Sequence, residues 1–418
     1  MKMPQDPLST VRRTIWTERA IEDFLALPLI HEFVYRSPQF LDGSVQKEVA
    51  DYLVYHGNTS IFLSLKCQEN PSDRTGEKLA AWARKAAQKA ASQLRGALRT
   101  GMAKPIKPIW CEHPRRGRVE FPNGLPRIDY AIALVEVLER VDLEPVADRL
   151  PLNFQGTSIA YFSVNDFLNL VLNLRSTTDL LAYLNFRSSL PPSELRIIGA
   201  EESLYEYYLL EGAPSRGPTS RAEAQHLVNL QPKRLMEIIE EKIKNNRYSE
   251  LIEGVANALA ERLPNYDIGI PKYLLENFDP PHSRVNYLKM QEFLAELRIG
   301  ERIQLGQAFE SVITELRQVP KGLLFKAMLL NSRPDWVFLF ASSKGFDRVE
   351  VLQCKEILVS GAMGHYNRNC FAVIDRDSEG LEVKMGMLNS PPTQSELELG
   401  QQLFGKLKVI SKNFLLGM

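Results

Sequence analysis

Glu48-Val49-Ala50-Asp51-Tyr52-Leu53-Val54-Tyr55-His56-Gly57-Asn58-Thr59-Ser60-Ile61-Phe62-Leu63-Ser64-Leu65-Lys66-Cys67-Gln68 is the stretch on which the fold turns. It consists of two apolar-rich runs joined at Gly57-Asn58, a pair suited to a two-residue hairpin loop. Strand alternation puts Ile61, Leu63, Leu65 and Cys67 on one face of the second run, and Phe62, Ser64, Lys66 and Gln68 on the other. A two-residue loop pairs His56 with Thr59, and the same register sets Asp51 opposite Ser64. Lys66 is then the diagonal neighbour of Asp51, within reach of a long side chain. A carboxylate and a lysine therefore meet at the open end of the hairpin.

At 418 residues the chain has room for two or three domains, each with a full core. Its 51 basic and 51 acidic residues cancel, so any surface for a polyanion has to be local. The four cysteines, Cys67, Cys111, Cys354 and Cys370, are scattered and form no CxxC pair, which speaks against a disulfide framework and a cysteine zinc site. The six histidines form no HxxxH or HExxH pattern. Neither a G-x-x-x-x-G-K-[ST] nor a G-x-G-x-x-G string occurs, so nucleotide chemistry of those kinds is not indicated, and G-x-S-x-G is absent too. Met1 to Arg13 lacks the apolar core of a signal peptide, and no run approaches about 18 apolar residues. A cytoplasmic protein with no membrane partner is expected.

Upstream of the hairpin, Trp16, Ala20, Ile21, Phe24 and Leu27 fall at helical spacing over Thr14 to Leu27, with Glu18, Glu22 and Asp23 on the polar face. Downstream, Ser72 to Arg99 reads as a long helix, capped by Ser72 or Asp73 and ended by Gly101. Arg74, Lys78, Arg84, Lys85, Lys89, Arg95 and Arg99 make it basic, against one acid, Glu77. A stripe of Trp82, Ala86, Ala90, Gln93 and Ala97 suits packing on a sheet. Strands are expected at Pro105 to Trp110, Arg118 to Phe121 and Ile128 to Val137, the last apolar enough for a central position. The first domain, residues 1–150, is thus an α/β sandwich.

From Pro151 the texture turns helical. Ser163 caps Val164 to Leu174, Thr177 caps Thr178 to Phe186, and a third helix runs from about Glu201 to Leu210. These make a helical extension over 151–211, with Glu201, Glu202, Tyr205, Tyr207 and Tyr208 giving an acidic-aromatic helix. Gly212 to Ser220 reads as a linker. A C-terminal domain over 221–418 follows, with helices at Arg234 to Lys244, Ser249 to Arg262, Tyr287 to Leu297 and Leu305 to Gln318. Strands at Leu323 to Leu330, Trp336 to Ala341, Cys370 to Ile374 and Leu381 to Met387 surround a helix from Phe346 to Met363.

Metal-dependent phosphodiester cleavage needs acidic oxygens for Mg²⁺, and a cation or polar group to orient the attacking water. Asp51 with Lys66 supplies half of such a site. In this the chain resembles the PD-(D/E)XK nuclease superfamily: an acidic helix with Glu18, Asp51 at the start of a hairpin strand, Ser64-Leu65-Lys66 on the next strand, then a basic helix with Gln93. More narrowly, Glu48 to Gln68 and Gln93-Leu94-Arg95-Gly96-Ala97 look like an uncharacterised bacterial group with that core. The likeness covers roughly residues 14 to 137. Ser64 stands where the family has its second acid. Glu48, Glu18 or the amide oxygen of Gln68 are the groups able to make up for it.

The resemblance implies Mg²⁺-dependent cleavage of nucleic acid, in bacteria commonly for restriction or phage defence. Asp51, Lys66, Glu48 and Gln68 would be catalytic, and Asp51, Glu48 and Glu18 would hold the metal. Arg84, Lys85, Lys89, Gln93 and Arg95 would follow the phosphate backbone, with the rest of the chain serving targeting or homodimer formation. The alternative is a catalytically inactive module that keeps the fold and binds nucleic acid or a protein. A second string, Pro334-Asp335 with Gln353-Cys354-Lys355, spells a similar motif. There, however, Val351, Cys354, Leu358 and Ala362 space as a helix capped by Asp347, and a helix does not present a lysine to a metal as a strand does.

Overall fold

The computed structural model describes residues 21, 27–42, 44–56, 59–68, 75–101, 108–114, 117–121, 128–137, 139–262, 289–318, 322–376, 381–388, 390–406 and 409–410. The chain is mixed α/β, and the described residues form two compact units that divide at Glu240/Glu241.

In the first unit, β1 (Val34–Asp42), β2 (Val45–Glu48), β3 (Tyr52–His56) and β4 (Thr59–Lys66) open a nine-stranded sheet. The helix α1 (Gly76–Gly101) follows, then β5 (Ile109–His113), β6 (Gly117–Phe121) and β7 (Tyr130–Val135). The hairpin register is His56 with Thr59, Val54 with Ile61 and Tyr52 with Leu63, as the two-residue loop requires. That loop, Gly57-Asn58, is itself outside the described residues, as are Ser72 and Asp73, the expected caps of α1. Of the expected helix Thr14 to Leu27 only Ile21 and Leu27 are described, and Ile21 is helical.

Along the sheet the order is β6-β5-β1-β3-β4-β7, continued by β10 (Thr157–Ser163) and β9 (Asn153–Phe154), while β8 (Val141–Asp142) and β11 (Ile197–Ile198) pair with each other apart from it. The β3–β4 pair is antiparallel, whereas β7 runs parallel to β4, so the chain must cross over between them, and α1 lies in that connection. Leu79, Ala83, Ala87, Ala90, Ala91, Leu94 and Leu98 of α1 are buried against Leu53, Phe62, Ala131, Ala133 and Val135. Small side chains on the inner face let the helix approach the strands closely. Beyond Pro151, where sequence patterning shows helices, β10 extends the parallel part of the sheet before α2 (Val164–Leu174), α3 (Thr177–Ser188), α4 (Glu202–Leu210) and α5 (Arg221–Leu230). Ser163 caps α2 as expected, but Ser176 rather than Thr177 caps α3. The two helices expected between Arg234 and Arg262 are one continuous helix, α6 (Pro232–Arg262).

The second unit has a five-stranded sheet in the order β15-β14-β13-β12-β16, formed by β12 (Gly322–Leu329), β13 (Trp336–Lys344), β14 (Asn369–Asp375), β15 (Leu381–Gly386) and β16 (Val409–Ile410). A helical segment at 289–296 and α7 (Ile299–Leu316) cover one face, where Phe293 meets Trp336, Phe338 and Phe371, and Phe309 stacks on Phe340. The other face carries α8 (Arg348–Tyr366) and α9 (Gln394–Lys406). These two helices nearly touch: a Cβ on Gly364 would come 2.2 Å from the Glu396 carbonyl oxygen. Gln353 and Lys355 lie on α8, which Asp347 caps through the Glu350 N–H, so the second motif-like string is helical.

A buried ion cluster fastens the helices of the first unit to β10. Glu201, which patterning places in an acidic-aromatic helix, lies inside: it pairs with Arg187 at 2.8 Å and Arg221 at 3.1 Å and accepts the Tyr183 hydroxyl. Arg187 also donates to the Tyr161 carbonyl of β10 and stacks over Phe162. Burial works against the Glu201 charge, but Arg187 and Arg221 outweigh it and hold the carboxyl below its ordinary value of 4.5. Removing one member of such a cluster leaves buried charge uncompensated. Glu201→Gln is therefore expected to lose about 3–5 kcal/mol at neutral pH in urea unfolding. Because the folded-state pKa is depressed, this stability is present above the unfolded value and lost as pH falls through the folded one, so the gap to the variant closes in acid. A gap that stays constant down to acid pH would contradict the assignment.

Candidate functional site

Asp51 immediately precedes β3, and its backbone N–H still reaches the Leu63 carbonyl at 3.1 Å. Its side chain turns to β4, where one carboxylate oxygen accepts the Leu65 N–H and lies 3.8 Å from the Lys66 ammonium. Lys66 ends β4. Its ammonium donates to Gln93 Oε1 at 2.7 Å, to the Leu65 carbonyl at 2.8 Å and to Ser64 Oγ at 3.1 Å. Ser64, fully buried, donates in turn to the same Gln93 oxygen at 3.1 Å. The Gln93 side chain comes from α1. Since α1 must lie on the face of β4 that carries Phe62, Ser64 and Lys66, a polar residue in its inward stripe has to meet them.

The electrostatics follow from this geometry. Burial pulls the Lys66 ammonium below the ordinary lysine value of 10.5; Asp51 resists that shift and the Lys89 charge adds to it. Three N–H donors of an ammonium thus have three acceptors, two neutral side-chain oxygens and one carbonyl, with the carboxylate a little further off. Glu48, exposed at the end of β2, acts on Lys66 only as a weaker attraction.

Gln68 is placed elsewhere. β4 stops at Lys66, so the alternation that puts Gln68 beside it no longer holds. Gln68 folds onto the end of β7 instead, its backbone N–H donating to the Glu136 carboxylate at 2.8 Å and its amide to the Glu136 carbonyl at 2.9 Å. Among the described residues no group donates to its buried amide oxygen. Periodicity assigns no role to Glu136, and only the parallel β4–β7 pairing brings the two together.

The five residues expected on a nucleic-acid face separate into four groups. Lys85 and Lys89 are exposed, and with Lys78 they lie at i, i+7 and i+11, one face of the helix about 16 Å long. Arg84 turns aside to donate to the Asp142 carbonyl at 2.9 Å. Arg95 is half-buried, with its charge acting on Tyr161 of β10. Gln93 serves Lys66.

The donor set fits Mg²⁺ in part. This ion is commonly held by one or two carboxylates, with waters and substrate phosphates completing its octahedron. Asp51 supplies one carboxylate at the site, while Glu48 stands exposed at the end of β2. Glu18 is outside the described residues, and among the described residues no group of three or more His, Cys, Asp or Glu side chains gathers as an all-protein cage would need. Comparison with known proteins gives no matching family model, no matching curated protein and no matching solved structure.

The position of Lys66 makes a pH test available. A lysine whose folded-state pKa is lowered makes folding more favourable as pH rises from that value towards 10.5, because the unfolded chain then binds the extra proton. Relative to Lys66→Met, the wild-type protein is expected to gain stability in urea unfolding between neutral pH and about pH 10. An unchanged difference would show that the ammonium is not desolvated.

Proposed function

We propose that the first unit is a PD-(D/E)XK-like core that cleaves phosphodiester bonds of nucleic acid with Mg²⁺. The carrying observation is the convergence of Asp51 and Gln93 on the half-buried ammonium of Lys66, beside a lysine-lined helix face. The antiparallel β1-β3-β4 arrangement followed by a crossover helix and the parallel strand β7 supports the same reading. Lys89 adds a second positive charge near Lys66, with Asp51 and, more weakly, Glu48 as the acids acting on it.

Asp51, with Glu48, would hold the ion, which when bound supplies Lewis-acid stabilisation of charge on the phosphate oxygens. Lys66 provides positive charge at the end of β4, where it would orient a water molecule or a phosphate oxygen. Gln93 and Ser64 hold that ammonium in place, 3.8 Å from the Asp51 carboxylate. Lys78, Lys85 and Lys89 bind the backbone of the strand on either side.

One observation favours the second reading, a module that binds without cutting. All three N–H groups of Lys66 are satisfied by the protein, and Ser64 brings no charge where the family has an acid. Incubation with plasmid and with single-stranded oligonucleotides in Mg²⁺ separates the two. Cleavage is expected, abolished by a chelator and reduced about 100-fold or more by Lys66→Ala. Equal cleavage by wild type and variant would rule this site out. Absence of cleavage with binding that falls steeply with salt would instead establish the binding module. In either case, replacing Lys78, Lys85 and Lys89 by Ala is expected to lower the slope of log affinity against log salt by about 0.9 for each phosphate no longer neutralised. An unchanged slope would remove α1 from the interface.

A further inference from the structure

β15 ends the sheet of the second unit, and among the described residues its outer edge has no strand beside it. Its two faces differ. Glu382 and Lys384 lie towards α8, where Glu382 pairs with Lys355 at 3.5 Å and with Arg376 at 3.3 Å, and Lys384 pairs with Glu356. On the opposite face Val383, Met385 and Met387 form one wall of an open cavity of about 520 Å³, faced by Met290, Phe293 and Trp336. It is also lined by Lys289, Glu292, Glu296 and Lys384. Met387 is 51% exposed. An open strand edge and an uncovered groove with apolar walls and a charged rim thus lie side by side, a combination that strand addition would cover.

The sequence of the strand points to what covers it. We propose that β15 pairs antiparallel with β15 of a second copy of this chain, about a two-fold axis passing through Val383. A two-fold perpendicular to the sheet sets each residue opposite one on the same face, so one residue of the strand must face itself. Centring on Glu382 sets glutamate against glutamate, and centring on Lys384 sets lysine against lysine. Centring on Val383 sets Glu382 against Lys384 twice, Leu381 against Met385 twice, and Val383 against itself. This is the one of the three central registers with no like charges opposed and with apolar side chains meeting apolar ones. The grooves of the two copies then lie on the same face and join across the axis, which covers Met385 and Met387.

Charge alternation alone does not select this edge. β6, an edge of the other sheet, carries Arg118-Val119-Glu120 and would pair with itself equally well by that criterion. Its charged side chains, however, are 56% and 66% exposed and bind each other along the strand, which guards an edge rather than offering it. The groove with its apolar walls decides for β15.

Light scattering on the full chain at micromolar concentration tests the proposal, together with mild oxidation of Val383→Cys and Val119→Cys. Wild type is expected at twice the chain mass. Val383→Cys is expected to give a disulfide-linked dimer that reductant collapses, since residues facing each other across an antiparallel pair bring their Cα atoms within disulfide range. Val119→Cys is expected to give none. Val383→Lys, which opposes two ammonium groups at the axis, should run as a monomer with an unchanged circular dichroism spectrum. A monomeric wild type, a dimer that survives Val383→Lys, or cross-linking through Val119→Cys in place of Val383→Cys would each overturn it.

Discussion

The first unit depends on accommodating one ammonium at the end of β4. A lysine head group largely removed from water is costly unless acceptors and an opposite charge surround it. Gln93, Ser64 and the Leu65 carbonyl supply the acceptors, and Asp51 supplies the charge at 3.8 Å. Each comes from a different constraint. Asp51 is held by its own bond to the Leu65 N–H, Ser64 by strand alternation, and Gln93 by the packing of α1. Together they tie the first strand of the hairpin, the second strand and the crossover helix to a single point.

The rest of the unit serves to keep that point fixed. α1 can present Gln93 at the right depth only because alanines line its inner face and let it lie close on Phe62, Ala131 and Ala133. The parallel strands β7 and β10 stand next in the sheet, and β10 is anchored from behind by the Arg187–Glu201–Arg221 cluster. Rigid strand ends are where a positioned charge is most useful, because the geometry is set before any ligand arrives. The exposed lysines of α1 extend this charge along one side, away from the core.

Much of this arrangement is legible in the sequence alone. The hairpin register follows from a loop of fixed length and a side-chain period of two, so Asp51, Ser64 and Lys66 converge by geometry. The Asp347 cap and the helical spacing behind it likewise decide that Lys355 belongs to a helix. What patterning misses has physical reasons. Gln68 departs from Lys66 because the strand ends between them, and a boundary of one residue is beyond periodicity. Arg84 looks like its neighbours in sequence, and only the position of the Asp142 carbonyl turns it inward. β10 is a short parallel strand whose partner lies more than twenty residues away, and Glu201 owes its burial to two arginines on other helices. Such long-range partners leave no local signature.

The half-buried Lys66 ammonium and the lysine face of α1 are proposed to belong to one surface for nucleic acid. Lysine reactivity, measured residue by residue by mass spectrometry with and without an oligonucleotide, addresses this most directly. Lys66, Lys85 and Lys89 are expected to lose reactivity together when nucleic acid is added, over the same range of oligonucleotide concentration. Unchanged reactivity at Lys85 and Lys89, or protection of those two with Lys66 unaffected, would contradict a single surface.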